Sequence, residues 1–333
     1  MPNIGVPGGK TVAHGGDLGA VRRRHPGAPQ PWIDLSTGIN PLPYPVADLP
    51  ADAWSRLPSH DAAQALIAAA AQRYRCAPHQ LVAAPGTQAL IQILPRLVAR
   101  SRVAIVGPTY AEHELNWRRH GHDVTVVADL EADADVLVVV NPDNPTGRLT
   151  PTQALRGVAA RLVVVDEAFI DLLPIEASLA GDLPDNAIVL RSFGKTYGLA
   201  GVRLGFAIAP APLAQRLREE LGPWAVSGPA LSIGATALAD DAWLHETATR
   251  LAGDVRKLDA LLASAGFTVL GGTPLFRLAS HPEAAEKVED LARQGIHVRA
   301  FADRPTCLRF GLPGGDEEFR RLSAALQVPQ KVR

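Results

Sequence analysis

The sequence predicts an α/β fold with a mostly parallel sheet flanked by helices, and three observations carry that reading. Short apolar runs recur through the first two thirds of the 333 residues, at 103–106, 124–127, 136–140, 162–165, 188–190 and 206–209. They are rich in valine and isoleucine and mostly do not alternate with polar residues, the pattern of strands buried on both faces. Helical segments fall between several of them, and alternation of strand and helix is the mark of an α/β sheet.

Residues 1–45 carry many glycines and prolines and little periodicity, so they read as an arm that must pack on something else. The alanine-rich stretch 61–75 follows Ser59, a helix cap. Gly86-Thr87-Gln88 opens an apolar helix that Pro95 should kink or end early. Thr150-Pro151 opens another, with the threonine as cap and the proline in the first turn. Beyond 211 the texture changes. Helices are expected over 211–221 and, as one element, 229–265. Strands follow at 267–270, 275–278, 296–299 and 307–310, with a helix over 282–294. The expected division is an arm (1–45), a large domain (46–222) and a small C-terminal α/β domain (223–333).

Hydrophobic residues make up 47% and charged residues 20%, the balance of a soluble globular protein, and a net charge of −1 offers no footprint for nucleic acid or an anionic membrane. No apolar run has transmembrane length and residues 1–19 do not resemble a signal peptide, so a cytoplasmic protein is expected. The two cysteines, Cys76 and Cys307, suggest neither a disulfide framework nor a metal site. His113, His120 and His122 lack partners for a metal site and read as surface helix and turn.

In parallel sheets ligands bind outside the carboxyl ends of the strands, and the polar motifs here sit at such ends. Run 103–106 leads into Gly107-Pro108-Thr109-Tyr110, 136–140 into Asn141-Pro142-Asp143-Asn144-Pro145-Thr146-Gly147, 162–165 into Asp166-Glu167-Ala168-Phe169, and 188–190 into the turn holding Lys195. Gly-Lys-Thr occurs at 9–11 and 194–196, but a phosphate-binding P-loop needs a glycine five residues before the first of these, where Ile4 and Val189 stand. Lys195 lies in a glycine-rich turn with Ser192 before it and Arg203 after it. A lone amine among small residues, with a serine and an arginine to hold a phosphate, suggests a Schiff base to pyridoxal phosphate. Asp166 would keep the ring nitrogen protonated, Asn144 would donate to the phenolic oxygen, and Tyr110 would stack on the ring. Gly86, Thr87, Gln88, Ser192 and Arg203 would surround the phosphate.

The ordered set of GTQ, PTYAE, NPDNPTG, DEAFID and SFGKTYGLAGVRLGF resembles the fold-type-I pyridoxal-phosphate enzymes of the class I/II aminotransferase group. That resemblance implies a seven-stranded, mostly parallel sheet with 206–209 as its antiparallel strand, a small C-terminal domain, and a homodimer with active sites at the interface. Two branches compete, the histidinol-phosphate aminotransferases and the threonine-phosphate decarboxylases of cobalamin biosynthesis. His14-Gly15-Gly16-Asp17, the run Leu35-Ser36-Thr37-Gly38-Ile39-Asn40-Pro41, DEAFID with Phe169, and Pro223-Trp224-Ala225-Val226-Ser227 resemble the decarboxylases. That branch implies O-phospho-L-threonine as substrate. Arg309, the Gly38 backbone and Asn144 would meet its carboxylate, and Arg299 and His14 its phosphate. Relatives often carry Arg-Tyr-Pro where this chain has Arg56-Leu57-Pro58, so a cross-subunit tyrosine contact to the cofactor phosphate is not expected from Leu57.

Overall fold

A computed structural model describes residues 15–326. Strand β1 (Ile33–Leu35) comes first. The strands β2 (Leu81–Ala84), β3 (Arg102–Val106), β4 (Asp123–Val127), β5 (Val136–Val140), β6 (Leu162–Asp166), β7 (Ala187–Ser192) and β8 (Gly205–Ile208) form a sheet in the order β2-β8-β7-β6-β5-β3-β4. The strands β9 (Thr268–Thr273), β10 (Phe276–Ser280), β11 (Ile296–Ala300) and β12 (Cys307–Gly311) join β1 in a second sheet of order β1-β11-β12-β10-β9.

All six apolar runs of the first two thirds are strands of the larger sheet, and β8 pairs antiparallel to both neighbours as the resemblance implies. Strands β5 and β6 are buried at every position. Alternate residues feed two cores: Val163 and Val165 lie in one cluster with Val139 and Val189, whereas Leu162 and Val164 lie in another with Val138 and Ile188. Each such side chain contributes about 1.5–3 kcal/mol by leaving water, so both faces must be covered by helices. On one face the helices His60–Tyr74 and Gly228–Leu238 cross closely at Gly234, where a Cβ would stand 2.7 Å from Leu66.

Strand β2 was not anticipated, and neither was the pairing of β1, which runs parallel to β11 with Asp34 opposite His297. Ser59 caps its helix by accepting from the Ala62 N–H at 3.1 Å. Pro95 ends the helix Thr87–Ile93, which passes into a 3₁₀ turn. Two local readings are corrected. Thr150 does not cap the next helix. Its backbone N–H and C=O are taken by the Asn141 side chain at 2.8 and 3.2 Å, and Pro151 occupies the cap position of Thr152–Arg156. The helix expected over 229–265 is two, Gly228–Leu238 and Asp241–Ser264. Asp240 separates them because its carboxylate accepts from the Trp243 N–H at 2.9 Å and from the Tyr44 hydroxyl at 3.1 Å. Asp240→Ala is expected to cost about 1–2 kcal/mol, the worth of a cap, read from the denaturant midpoint.

Candidate active site

The ends of β5, β6 and β7 lie side by side, with Val140 opposite Asp166 and Asp166 opposite Leu190. The loops leaving these ends, with those after β2 and β3, enclose a cavity of about 200 Å³. Its wall includes Gly86, Thr87, Gln88, Tyr110, Asn144, Asp166, Ser192, Lys195 and Arg203. These are all nine residues that the sequence assigned to a cofactor.

One end of the cavity is built from backbone and a single cation. Gly86 has φ +81°, and a Cβ there would stand 2.6 Å from the Arg203 guanidinium. Arg203 itself is left-handed (φ 57°) and donates to the Ala200 carbonyl at 3.0 Å. A Cβ on Gly205 would meet the Thr87 nitrogen at 2.6 Å. Any side chain at 86 or 205 would therefore displace the guanidinium or the turn, so the glycines keep a cationic, N–H-rich recess open.

At the other end stands Asp166, only 3% exposed. One carboxylate oxygen accepts from the Ala168 N–H at 3.1 Å and the other lies 3.0 Å from His113 Nε2. His113 is fully buried, which corrects its reading as a surface residue. His122 is corrected likewise: it is buried, with Nε2 2.9 Å from the Pro95 carbonyl, and Nδ1 accepts from the Ser101 N–H at 3.3 Å. His120 is exposed as expected. The polar helix Ala111–Arg119 returns from the end of β3 to the start of β4 along one face of the sheet and turns Glu112, His113, Asn116 and Trp117 inward, whereas its composition reads as solvent-facing. The one local signal was spacing, since His113 stands one helical turn beyond Tyr110.

Lys195 Nζ sits 4.7 Å above the Phe169 ring. Burial pulls its amine down to about 8, with Arg309 and Arg203 acting the same way and Asp166 opposing. Its neutral fraction near pH 7 is far above that of an ordinary lysine, which makes it a competent nucleophile. The half-buried Tyr110 is held protonated, its phenol pushed upward by burial, Glu112 and Asp166.

The family model for aminotransferase class I and II matches residues 32–326. The chain belongs to the class I and II aminotransferase family. Within that family it is 44% identical to a threonine-phosphate decarboxylase of Sinorhizobium sp. over 95% of this chain and 97% of the relative. A threonine-phosphate decarboxylase of Pseudomonas aeruginosa is 41% identical over the same shares. Among solved structures, histidinol-phosphate aminotransferase from Sinorhizobium meliloti in complex with pyridoxal-5'-phosphate superposes with a TM-score of 0.76, covering 92% of each chain at 24% identity. Its likeness shows the fold.

Beside the family's cavity stands a second cluster drawn from the other sheet. Arg309 on β12 is buried and donates to the Asn144 side-chain oxygen at 2.5 Å and to the Ser36 carbonyl at 2.6 Å. Arg299 on β11 is its direct cross-strand partner. Two guanidiniums in register repel, and burial together with Arg299 brings Arg309 down to about 10. Such a pair is stabilised by an anion between or beside them. Gly38, Arg299 and Arg309 are not part of the cavity wall itself, but Ile39 is, and Asn144 joins Arg309 to it. His14 lies outside the described residues.

Gly38 is wedged where the two sheets meet. A Cβ there would stand 2.7 Å from Phe169 and 2.9 Å from Phe276. Those rings pack edge to face at 5.0 Å and cannot both retreat. Gly38→Ala is expected to push Phe169 toward Lys195 and lower kcat/KM about tenfold or more, with a stability loss of about 1–3 kcal/mol. Steady-state kinetics and a melting curve of the variant check both numbers.

Proposed function

We infer that this chain catalyses the pyridoxal-phosphate-dependent decarboxylation of O-phospho-L-threonine to (R)-1-amino-2-propanol phosphate, a step of cobalamin biosynthesis. The observation that carries the reading is the pair of threonine-phosphate decarboxylases at 44% and 41% identity across 95% of the chain. The cationic wall of Arg299 and Arg309 supports it, because the substrate brings a carboxylate and a phosphate dianion together.

The residues present fit the cofactor. Lys195 offers a partly neutral amine, Asp166 a buried carboxylate for the ring nitrogen, and the recess of Gly86, Thr87, Gln88, Ser192 and Arg203 a place for the phosphate. When bound, the ring supplies an electron sink for the pair left by the departing carboxylate. Asn144 would reach the phenolic oxygen alone, since Phe169 carries no donor, and Tyr110 would cover the ring face. Arg309, with the backbone at Gly38, would orient the carboxylate, and Arg299 and His14 would hold the phosphate. Their task would be rotational, holding the substrate so that its Cα–carboxylate bond is the one that breaks. Lys195 or a water would then return a proton to the α-carbon.

The test is a paired assay with O-phospho-L-threonine, with and without 2-oxoglutarate. Carbon dioxide and amine in equal amounts, without the keto acid, are expected. Turnover that strictly requires 2-oxoglutarate would reassign the chain as an aminotransferase.

We further propose that the enzyme works in the cytoplasm as a homodimer. Trp54, Leu57 and Trp224 are 70%, 69% and 60% exposed, a costly display of large apolar side chains for a lone chain. Ala53 packs against Gly228, and Pro58 and Trp224 border one apolar groove, which brings the three into one region. Sedimentation at twice the chain mass is the expected result, and a monomer at micromolar concentration would reject the dimer.

A further inference from the structure

The cofactor cavity has two walls that meet at one carboxylate. Gln88 belongs to the recess after β2, and Tyr110 belongs to the loop after β3 and stands just before the helix Ala111–Arg119. The Tyr110 hydroxyl donates to Gln88 Oε1 at 3.2 Å, and Gln88 Nε2 donates to Glu112 Oε2 at 2.7 Å. Asn116 Nδ2 donates to the same Glu112 oxygen at 3.2 Å and to the Glu112 carbonyl at 2.7 Å. Glu112 is buried and does not itself line the cavity.

The direction of this chain is forced by chemistry. A carboxylate only accepts, so the Gln88 amide must turn its NH₂ toward Glu112 and its oxygen toward Tyr110. The phenol then points its proton at the Gln88 oxygen. Among the described residues Asn116 Oδ1 is buried without a hydrogen-bond partner while the NH₂ serves Glu112, so the arrangement is kept at the expense of a neighbouring polar atom.

We propose that Glu112 is a positioning residue that, through Gln88, sets the rotation of the Tyr110 ring and ties the ring-covering wall of the cavity to its phosphate recess. The proposal rests on pyridoxal phosphate occupying this cavity. It assigns Tyr110 the role of a ring face whose rotation is set from behind by Gln88.

The experiment titrates cofactor-free protein with pyridoxal phosphate, reading Kd from the visible absorption and ring orientation from the visible circular dichroism. Glu112→Ala is expected to raise Kd about tenfold and change the dichroism, and Glu112→Gln, which keeps an acceptor oxygen, to stay within about threefold. Tyr110→Phe, which deletes only the hydroxyl, should raise Kd by a similar factor to Glu112→Ala. The double variant Glu112→Ala/Tyr110→Phe should be no worse than either single one, because both cut one chain. A Tyr110→Phe protein with unchanged Kd and dichroism overturns the proposal, whether or not Glu112→Ala folds. So do single-variant losses that multiply to about a hundredfold, or a Glu112→Ala variant that lowers only the melting temperature of the cofactor-free protein. Unaltered protein that develops no visible band would sink the cofactor reading as well, and so separates the two failures.

Discussion

Lys195→Met is expected to lower carbon dioxide release from O-phospho-L-threonine by about 10³-fold or more, since it removes both the covalent anchor and a proton carrier. The same change should stabilise the cofactor-free protein at pH 7. The amine is pulled from 10.5 to about 8 on folding, chiefly by burial. Below pH 8 both native and unfolded chains hold the proton, and the full cost of burying that charge is present. Between about pH 8 and 10.5 the unfolded chain binds a proton that the native one does not, so stability rises with pH; above 10.5 the penalty is gone. Methionine keeps the packing of the side chain and removes the charge. With allowance for screening by water in the cavity, the gain at pH 7 is on the order of 2 kcal/mol. A variant that loses activity and stability together would point to a structural lysine. Urea titrations of both cofactor-free proteins at pH 7 and pH 10 decide it, because the difference should shrink at the higher pH.

Arg191→Met is expected to be the most destabilising single change, at about 3–5 kcal/mol. Arg191 is buried on β7, on the face away from the cavity that Ser192 lines. Its guanidinium donates to Glu167 at 3.1 Å, to Ser178 Oγ at 2.9 Å and to Asp171, and it lies 4.4 Å from the centre of the Tyr74 ring. Glu167 also accepts from Ser178 Oγ at 2.6 Å and the Leu179 N–H at 2.7 Å. Removing the cation takes the shared guanidinium from two carboxylates whose side chains are 0% and 4% exposed. Burial already pushes the Glu167 carboxyl upward, with Arg191 as the strongest opposing influence. The loss should therefore be smaller in mild acid, where Glu167 can take up a proton in the variant. Denaturant midpoints at pH 7 and pH 5 measure it, and equal losses at the two pH values would contradict the account.

The central strands of the large sheet were legible because a strand covered on both faces has almost no freedom but to be apolar. β5 reads Val-Leu-Val-Val-Val and β6 ends in Asp166 only where the sheet opens to the cavity. β1 and β2 were not legible. Three and four residues are too short to show a period, and their pairing with β11 and β8 is made by residues far along the chain. The same reason explains Asp240, whose role as a cap competes with an otherwise continuous helical pattern.

From its residues and their order alone, this chain determined the α/β class, the strand ends that carry chemistry, and the nine residues that now wall one cavity. Only the tertiary structure decided which polar groups stand behind that wall. His113 reaches Asp166 across 53 positions, and Arg309 reaches Asn144 across 165. His113 reads as a surface residue, and nothing in the sequence marks Glu112, Glu167 or Arg191 as buried, because water is the usual partner of a charge. Here the partners are other buried polar groups brought together by the sheet, and a hydrogen bond between distant residues leaves no periodic trace in either segment.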